Sequence, residues 1–321
     1  MPEPQAPRIP LLSIVGPTAV GKTDLAVRLA LELDGEVVNA DSRQVYRHMD
    51  IGTAKATAEQ RARVPHHLIS ILDPDETFGL DTFMCLASAA IDDVRRRGKL
   101  PILVGGTGQY VWSLLEGWRP PRVPPNRALR RRLEEEAGRH GPEALFRRLL
   151  EVDPQAENTV DGRNPRRVIR ALEVYEATGM PPSTLIRSRG PSPYVFSVVG
   201  LTMDRRALYE RIDARVDSMM ECGLLAETRG LLSKGYTPDL PSMSSVGYRE
   251  MVLHLTSGLA LSEAVQRIKY ATHGLARRQL TWFRPGDPRI RWTAAGPQAV
   301  HGLRGLVAEL RETHRPPHGS L

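Results

Sequence analysis

A glycine-rich segment near the amino terminus has the residue types and spacing of a phosphate-binding loop. The pattern G-x-x-x-x-G-K-[ST] is matched in full by GPTAVGKT, which is Gly16, Pro17, Thr18, Ala19, Val20, Gly21, Lys22 and Thr23. In such a loop, backbone N–H groups and the start of the following helix attract phosphate oxygens, Lys22 adds a positive charge, and the Thr23 hydroxyl can ligate Mg²⁺. The segment predicts a diphosphate or triphosphate site of the kind found in ATP-binding and other nucleotide-binding proteins.

An acidic segment follows the next predicted strand. It reads DSRQ, which is Asp41, Ser42, Arg43 and Gln44. Ligands of open parallel sheets bind at the carboxyl ends of the strands, so we expect Asp41 to face the phosphate loop. Three interpretations of Asp41 stay open here: a Mg²⁺ ligand as in a nucleotide kinase, a general base acting on an acceptor, or a helix N-cap. Gln44 offers a paired donor and acceptor to the edge of a base.

A second glycine-rich turn, GGTG, ends a later strand at residues 105–108. Its glycines permit a close approach of other atoms to the backbone, and Thr107 has a hydroxyl for a ligand entering there. The alternative is a tight turn between a strand and a helix. Both interpretations predict that the turn lies at the same sheet edge as Asp41.

Two pairs of residues with metal-binding side chains lack the spacing of a metal site. His66 and His67 are adjacent, which predicts hydrogen bonding to solvent or backbone rather than joint chelation. Cys85 and Cys222 are far apart in the chain and are expected to be buried thiols. Neither a zinc site nor a disulfide framework is expected, which favours the reducing cytoplasm.

Arginines recur at helical spacing in the middle of the chain. Arg163, Arg166, Arg167 and Arg170 follow the spacing i, i+3, i+4, i+7, and Arg130 lies in an earlier run of three arginines, residues 130–132. A basic face of this kind suits a nucleic-acid backbone. A solvated charged helix face is an equally good interpretation of the pattern alone.

The elements that must position these side chains alternate between strands and helices. Short apolar runs predict strands at 8–15, 36–39, 99–104 and 194–201, and apolar residues at helical spacing predict helices at 23–33, 82–97, 205–234 and 261–282. We also expect a loop at 179–193 and one helix after Pro297. The alternation predicts an α/β fold: a parallel, P-loop NTPase-like sheet core flanked by helices.

The middle of the chain has a different texture. A proline-rich hinge, WRPPRVPPN, ends at Asn126, and the pattern is then helical, with helices expected at 127–140, 142–152 and 165–178. We therefore predict an all-helical insertion at 121–189 within an α/β core made of 1–120 and 190–321.

The composition agrees with a globular protein that has a polyanionic partner. The chain has 321 residues with 41% hydrophobic and 25% charged residues, which is ordinary for globular proteins. The net charge of +7 favours a polyanion, although charge alone is a weak indication. No apolar run is long enough to span a membrane.

Taken together, these segments resemble the bacterial tRNA dimethylallyltransferases, also called tRNA isopentenyltransferases. The resemblance rests on segments that occur in order from residue 16 to about 284: GPTAVGKT, DSRQVYRHMDIGTAK, HHL, ILVGGTGQY, NPRRVIRALEVYEATG, RIDARVDSMMECGLLAE, VGYRE and RRQLTWFR. It implies transfer of a dimethylallyl group from its diphosphate to N6 of the adenosine just 3′ of a tRNA anticodon. It also implies Mg²⁺ as cofactor, and a phosphate loop that holds a prenyl diphosphate instead of ATP.

The resemblance further implies roles for single residues. Asp41 resembles the general base, while Thr18 and Arg215 resemble ligands of the diphosphate, and Thr23 is the expected metal ligand. The family's tRNA-contacting stretches match Asp41, Ser42, Arg43, Gln44, Thr107, Arg130, Arg166, Arg167, Val168, Ile169, Arg170, Ser244, Ser245, Val246, Gly247, Tyr248 and Arg249. We expect a cytoplasmic monomer that binds the anticodon stem-loop through its helical insertion.

Two other functions compete with this interpretation. A P-loop kinase for a small molecule or nucleotide would use Asp41 on Mg²⁺ or on the acceptor, but it leaves the arginine-rich insertion unexplained. An ATP-driven RNA remodeller needs an acidic residue at the end of an apolar strand, and the strand ending at Val104 continues into Gly105 instead.

Overall fold

The computed structural model describes residues 9–118, 120–121, 123–186 and 190–314. They form two compact units. The sheet unit contains the residues up to Trp112 and those from Pro193 onward, and the helical unit is Ser113–Ser192. The expected hinge at 118–126 lies partly outside the described residues.

The helices and strands follow one another in the order that the sequence predicts, with several additions. They are β1 (Ile9–Val15), α1 (Lys22–Leu33), β2 (Gly35–Asn39), α2 (Ala58–Arg63), β3 (His66–His67), α3 (Leu80–Arg96), β4 (Leu100–Val104), α4 (Gly108–Leu115), α5 (Arg127–His140), α6 (Pro142–Val152), α7 (Pro165–Thr178), α8 (Pro182–Ile186), β5 (Tyr194–Thr202), α9 (Arg205–Glu221), α10 (Leu224–Ser233), α11 (Tyr248–Ser257), α12 (Leu261–Trp282), β6 (Ile290–Ala294) and α13 (Arg304–His314). Three short 3₁₀ helices lie at Pro154–Asn158, Pro297–Ala299 and His301–Leu303.

The sheet unit is built on six parallel strands in the order β3-β2-β4-β1-β5-β6. β1 is central, and its Leu12 pairs with Ile102 of β4 on one side and with Ser197 of β5 on the other. Every residue of β2 and β4 is buried, as expected for strands covered on both faces. Because all strands run in one direction, the loops that follow β1, β2 and β4 meet at one edge of the sheet.

Helix α1 packs on this sheet through the apolar positions that predicted it. Leu25, Leu29 and Leu33 recur every four residues on one face and join the buried cluster formed by Ile14 of β1 and Ile102 of β4. The expected strands at 8–15, 36–39, 99–104 and 194–201 and the expected helix at 23–33 are therefore confirmed within one or two residues. The α/β fold with a parallel sheet is confirmed as well.

Several expectations about the elements are wrong. The helix expected at 205–234 is two helices, because Gly223 takes a left-handed conformation (φ 98°) between α9 and α10. The short helix α8 lies within the expected loop at 179–193, and α2, β3, α11 and β6 were not expected. Cys85 and Cys222 are exposed free thiols and not buried ones.

The helical unit has its own buried core. Leu133, Leu145, Leu149 and Val168 are fully buried and come from α5, α6 and α7. The three helices begin and end where the sequence predicts. In α5 and α7 an asparagine accepts a hydrogen bond from a backbone N–H three residues later, which caps the first turn.

A buried carboxylate joins two of these helices. The Glu173 side chain of α7 is 1% exposed, and it accepts hydrogen bonds from the guanidinium groups of Arg130 and Arg170 and from the Asn126 backbone N–H. Burial alone would raise the pKa of Glu173, but the hydrogen bonds from Arg130 and Arg170 bring it below its ordinary value of 4.5.

Within the described residues, no helix combines the length and the apolar composition needed to cross a membrane.

We expect Glu173→Gln to lower the free energy of unfolding of the helical unit by about 2 kcal/mol, because two guanidinium groups lose a charged acceptor. Hydrogen exchange of the α5 and α7 amides measures the loss. Since the pKa of Glu173 is lowered by folding, this stability is present above its ordinary value of 4.5 and disappears as the pH falls through the lowered pKa. Glu151→Gln, at an exposed position of α6, is the matched control. Unchanged protection in Glu173→Gln would contradict the assignment.

Candidate active site

The predicted phosphate loop, Gly16–Thr23, connects β1 to α1 at the carboxyl edge of the sheet. Gly16 has a φ of 136°, and a β-carbon there would lie 2.7 Å from the Leu201 carbonyl oxygen. Gly21 has a left-handed conformation (φ 101°) and occupies the N-cap position of α1. It has no side chain that could accept a hydrogen bond from the first turn of the helix. The first N–H groups of α1 are therefore left to a ligand, and the helix dipole adds positive potential.

The side chain of Lys22 folds back over the loop. Its Nζ donates hydrogen bonds to the carbonyl oxygens of Gly16 at 3.1 Å and Pro17 at 2.8 Å. Burial lowers the pKa of Lys22 to about 8, Asp41 opposes this shift, and Arg215 adds to it. A partly buried cation with a lowered pKa is stabilised by any anion that enters the site.

Helix α9 supplies two more positive charges. Arg211 and Arg215 are one helical turn apart, so their side chains project from the same face of the helix. A guanidinium nitrogen of Arg211 lies 3.6 Å from where a β-carbon of Gly21 would be. Burial lowers the pKa of Arg215, while the charge of Asp41 opposes the shift. Lys22, Arg211 and Arg215 thus place several positive charges close to the Asp41 carboxylate.

That carboxylate, Asp41, is held in place from both sides. The Asn39 side chain accepts a hydrogen bond from the Asp41 backbone N–H and donates one to the Asp41 carbonyl oxygen, both at 3.2 Å. Asn39 also donates to the Leu68 carbonyl oxygen at 3.0 Å. One Asp41 carboxylate oxygen, Oδ1, accepts the Arg43 backbone N–H at 2.8 Å. Because Asp41 precedes no helix, the N-cap interpretation is wrong.

The GGTG turn after β4 brings three segments together. A β-carbon on Gly105 would overlap the Ala40 backbone, one on Gly106 would overlap the Gln279 amide, and one on Gly108 would overlap the Trp282 side chain. The glycines therefore serve close packing inside the protein, as in the tight-turn interpretation. Thr107 Oγ1 accepts the Ser42 backbone N–H at 3.2 Å, which ties the turn to the acidic segment.

These segments surround a cavity of about 390 Å³ in the sheet unit. Its polar lining includes Thr18, Lys22, Thr23, Asp24, Asn39, Asp41, Gln44, Lys55, His66, Arg211, Arg215 and Gln279, and its apolar lining includes Val37, Ile69, Val104 and Leu275. The structure thus brings the predicted Thr18, Lys22, Asp41, Gln44 and Arg215 to one cavity. A cavity with this lining suits an anion that carries a small apolar group.

The lining also contains oxygen ligands for a divalent cation. Thr23, Asp24 and Asp41 contribute a hydroxyl and two carboxylates. Mg²⁺ is usually bound through one or two protein oxygens together with substrate phosphates, so this set fits it. Among the described residues, no cluster of three or more His, Cys, Asp or Glu side chains could hold a metal by itself.

Other predicted RNA-contacting residues of the sheet unit take part in internal contacts. Arg43 donates to the Pro241 carbonyl oxygen at 2.6 Å, and Gln44 Nε2 donates to the Thr53 carbonyl oxygen at 3.1 Å. Tyr248 is fully buried and donates to Glu227 at 2.6 Å, so its side chain is structural.

The stretch 244–249 is otherwise mixed in its exposure. Ser245 is buried, Ser244 and Val246 are half-buried, Gly247 is buried, and the Arg249 side chain is 61% exposed. Of this stretch, Arg249 is therefore the side chain most accessible to a large partner. Contact of these residues with RNA stays a prediction.

In the helical unit, the predicted residues divide into three kinds. Arg166 and Arg167 are exposed at the start of α7. Arg130 and Arg170 are about one-third exposed and hydrogen-bonded to Glu173, and Arg163 pairs with Asp161. Val168 and Ile169 are buried in the core, so any part they have in binding is through packing and not through their side-chain surfaces.

Several lining residues were not assigned a role from the sequence, among them Asp24, Asn39, Lys55, Arg211 and Gln279. The spacing of Arg211 and Arg215 by one helical turn was a usable signal. His66 does bond to backbone, the Val64 carbonyl oxygen at 2.7 Å, as expected. Gln279 meets the phosphate loop 261 residues away, which local pattern does not reveal.

Comparison with known sequences identifies relatives along nearly the whole chain. The sequence model of the IPP transferase family matches residues 44–286, and that of the isopentenyl transferases matches residues 9–65. A tRNA dimethylallyltransferase of Roseiflexus castenholzii is 58% identical over 301 residues, which cover 94% of this chain and 98% of that protein. One of Thermomicrobium roseum is 52% identical over 277 residues, 86% of this chain and 84% of that protein.

Comparison with solved structures also identifies transferases of this kind as similar to the chain. A tRNA isopentenylpyrophosphate transferase of Bacillus halodurans is 41% identical with a TM-score of 0.70, and the match covers 95% of this chain and 97% of that one. A eukaryotic dimethylallyltransferase, captured in crystallographic snapshots of its action on tRNA, is 28% identical with a TM-score of 0.79. That match covers 97% of this chain and 81% of the other.

The low pKa of Lys22 leads to a testable pH dependence. As the pH rises through about 8, Lys22 loses its charge, and we expect the affinity for inorganic diphosphate to fall. In Lys22→Gln, affinity should be about 10- to 100-fold weaker at neutral pH, and the part of the pH dependence due to Lys22 should vanish. Calorimetric titration of both proteins against pH separates this effect from titration of the ligand. Parallel pH profiles for the two proteins would contradict a role for the Lys22 charge.

Proposed function

The chain belongs to the IPP transferase family, and from that membership we propose that it transfers a dimethylallyl group from dimethylallyl diphosphate to tRNA. The acceptor is N6 of the adenosine immediately 3′ of the anticodon, and the products are N6-isopentenyladenosine and diphosphate. One observation carries the proposal: a phosphate loop, two arginines and the Asp41 carboxylate line one cavity that also has apolar walls.

In this proposal, the phosphate loop binds the diphosphate of the donor. The N–H groups at the start of α1, Lys22, Arg211 and Arg215 all present positive charge to it. As the bond between carbon and oxygen breaks, negative charge builds up on the departing diphosphate, and positive groups fixed in a buried site stabilise that charge most. Thr18 lies in the same loop and supplies a further polar contact.

The apolar lining suits the five-carbon group of the donor. Val37, Ile69, Val104 and Leu275 line the same cavity as the phosphate loop. Burying the prenyl group against them contributes roughly 25 cal/mol per Å² of apolar surface removed from water. Binding energy from the prenyl atoms that do not react thereby helps to align the reacting carbon.

The acceptor nitrogen requires a base, and Asp41 is the candidate. The lone pair of adenine N6 is delocalised into the ring, which makes N6 a weak nucleophile. In the reaction, N6 forms a bond to C1 of the dimethylallyl group, the C1–O bond breaks, and its electron pair leaves with the diphosphate. The N6 proton passes to the Asp41 carboxylate, whose position is maintained by Asn39 and the Arg43 backbone.

The residues present also fit Mg²⁺ as a cofactor. Thr23, with Asp24 or Asp41, would hold it beside the phosphates. When bound, Mg²⁺ supplies additional charge neutralisation for the diphosphate.

The acceptor adenosine must leave its stack in the anticodon loop to reach a buried base. Unstacking a base costs a few kcal/mol, which contacts elsewhere on the RNA must offset. We assign such contacts to Ser42, Arg43, Gln44, Thr107 and Arg249 in the sheet unit and, separately, to the basic start of α7 in the helical unit. Shape and phosphate contacts are the usual means of recognising a stem-loop.

We further propose that the enzyme acts as a monomer in the cytoplasm, where unmodified tRNA is its substrate. Two free thiols, one on α3 and one at the end of α9, agree with a reducing compartment.

The decisive experiment follows a labelled prenyl group. Purified protein with Mg²⁺, unmodified tRNA and labelled dimethylallyl diphosphate should yield isopentenyladenosine after nuclease digestion. A parallel reaction with γ-labelled ATP tests for a kinase. Consumption of ATP with no prenyl label on tRNA would overturn the proposal in favour of phosphoryl transfer.

In the same assay, we expect Asp41→Asn to lower kcat by about 10²–10⁴-fold, the usual contribution of a general base. The amide can still accept the Arg43 N–H, so the loop conformation and tRNA affinity should be nearly unchanged. Single-turnover kinetics measures the rate, and filter binding measures the affinity for tRNA. Equal losses of tRNA binding and rate would show that Asp41 has a structural role.

The helical unit is tested through the salt dependence of tRNA binding. Arg166→Ala should weaken binding and reduce the slope of log K against log salt by about 1, as expected for one lost phosphate contact. Arg139→Ala removes an exposed arginine of α5 and is the matched control. An unchanged slope in Arg166→Ala would exclude a backbone contact at this position.

A further inference from the structure

The segment RRQLTWFR forms the carboxyl end of α12, and the proposed function does not yet use it. Its Gln279 side chain lies in the candidate active site, 261 residues from Thr18 of the phosphate loop. Gln279 is 7% exposed and lines the cavity together with the phosphate loop and Asp41. A polar side chain buried this deeply requires hydrogen-bond partners.

One end of the Gln279 amide already has a partner. Its Oε1 accepts the backbone N–H of Thr18 at 2.6 Å. The hydrogen bond determines which end of the amide is oxygen, since only Oε1 can accept. It also fixes the rotation of the amide group and ties the start of the phosphate loop to α12.

The nitrogen end of the Gln279 amide has hydrogen-bond donors without an acceptor among the described residues. Nε2 lies against Gly106, where even a β-carbon would overlap it, and carries two N–H groups. The hydrogen bonds of the described residues engage Oε1 and give Nε2 no acceptor. Because the side chain borders the cavity, its N–H groups are available to a molecule bound there.

We propose that Gln279 binds the prenyl donor directly: Oε1 holds the phosphate loop at Thr18, and Nε2 donates a hydrogen bond to an oxygen of the diphosphate. This inference rests on the proposed function. Thr18 and the positively charged side chains Lys22 and Arg215 attract the diphosphate to this part of the cavity, which makes a phosphate oxygen the natural acceptor.

An amide suits this position better than a charged group. A carboxylate would also accept the Thr18 N–H but would repel the diphosphate and has no N–H to offer. An ammonium or guanidinium would offer donors but could not accept from Thr18. Only a neutral side chain with both functions meets the two requirements, and the room left by Gly106 admits it.

The substitution Gln279→Glu separates the two functions. It retains the shape of the side chain and the acceptor for Thr18, but it replaces the donor with a carboxylate oxygen that repels the diphosphate. We expect the dissociation constant of dimethylallyl diphosphate, measured by calorimetry without tRNA, to rise about 10- to 100-fold, as for a lost hydrogen bond to a charged group. The KM for tRNA and the thermal unfolding midpoint should change little.

Two further variants complete the test. Gln279→Met has a similar volume but lacks both functions, so donor affinity and the unfolding midpoint should both fall. Gln266→Glu introduces the same charge change at an exposed position of the same helix and should resemble the wild type. It controls for the effect of adding one negative charge to α12.

The outcomes distinguish this inference from the proposed function. If wild-type protein neither binds dimethylallyl diphosphate nor transfers its prenyl group, the proposed function fails first. If the wild type does both and Gln279→Glu binds the donor equally well, Gln279 is only a structural tie. A rise in the KM for tRNA with unchanged donor affinity would assign Nε2 to the acceptor base and also overturn the proposal.

Discussion

The site depends on holding several positive charges together around one cavity. Lys22 and Arg215 are both cationic, both buried enough for their pKa values to be lowered, and both close enough to Asp41 to be affected by its charge. The carboxylates of Asp24 and Asp41 do not outnumber the cations of the lining, and burial disfavours the charged forms of Lys22 and Arg215, a disadvantage that an entering anion relieves. In the proposed function, a diphosphate bound there would relieve this disadvantage, and its departure as a leaving group would occur among positive charges that are already in place.

Such an arrangement requires a rigid support, which the parallel sheet provides. In the sheet, β4 lies between β2 and β1, and the three strands are parallel. The loops that follow them therefore converge at one edge. Their approach is so close that Gly105 has room for no β-carbon beside the Ala40 backbone. Asn39, at the end of β2, then positions the Asp41 backbone through two hydrogen bonds, while the Arg43 backbone N–H holds one oxygen of the Asp41 carboxylate beside the cavity. The acid is oriented by the sheet and not by a partner cation.

Local sequence pattern predicts many of the strands, helices and site residues, but it does not predict the features that depend on a single residue or on contacts formed only after folding. Buried strands such as β1 and β4 are continuous apolar runs, and α1 has a regular apolar face, so the sequence predicts them directly. The two-residue β3 is too short to leave a periodic signal, and the break at Gly223 depends on one left-handed residue. The phosphate loop and Asp41 are recognisable from residue types, whereas the contact between Gln279 and Thr18 exists only after folding.

In the helical unit, the sequence pattern predicts a larger basic face than the structure has. Four arginines at 163, 166, 167 and 170 predict one basic face, but Arg170 turns to the buried Glu173 and Arg163 pairs with Asp161. Burying Glu173 without these guanidinium groups would be costly, so Arg170 and Arg130 are committed first to the fold of the unit. Of the four arginines of the predicted face, Arg166 and Arg167 at the exposed start of α7 remain available to a polyanion. A small, well-defined phosphate contact is enough to orient an RNA stem-loop, because orientation depends on where charges lie more than on how many there are.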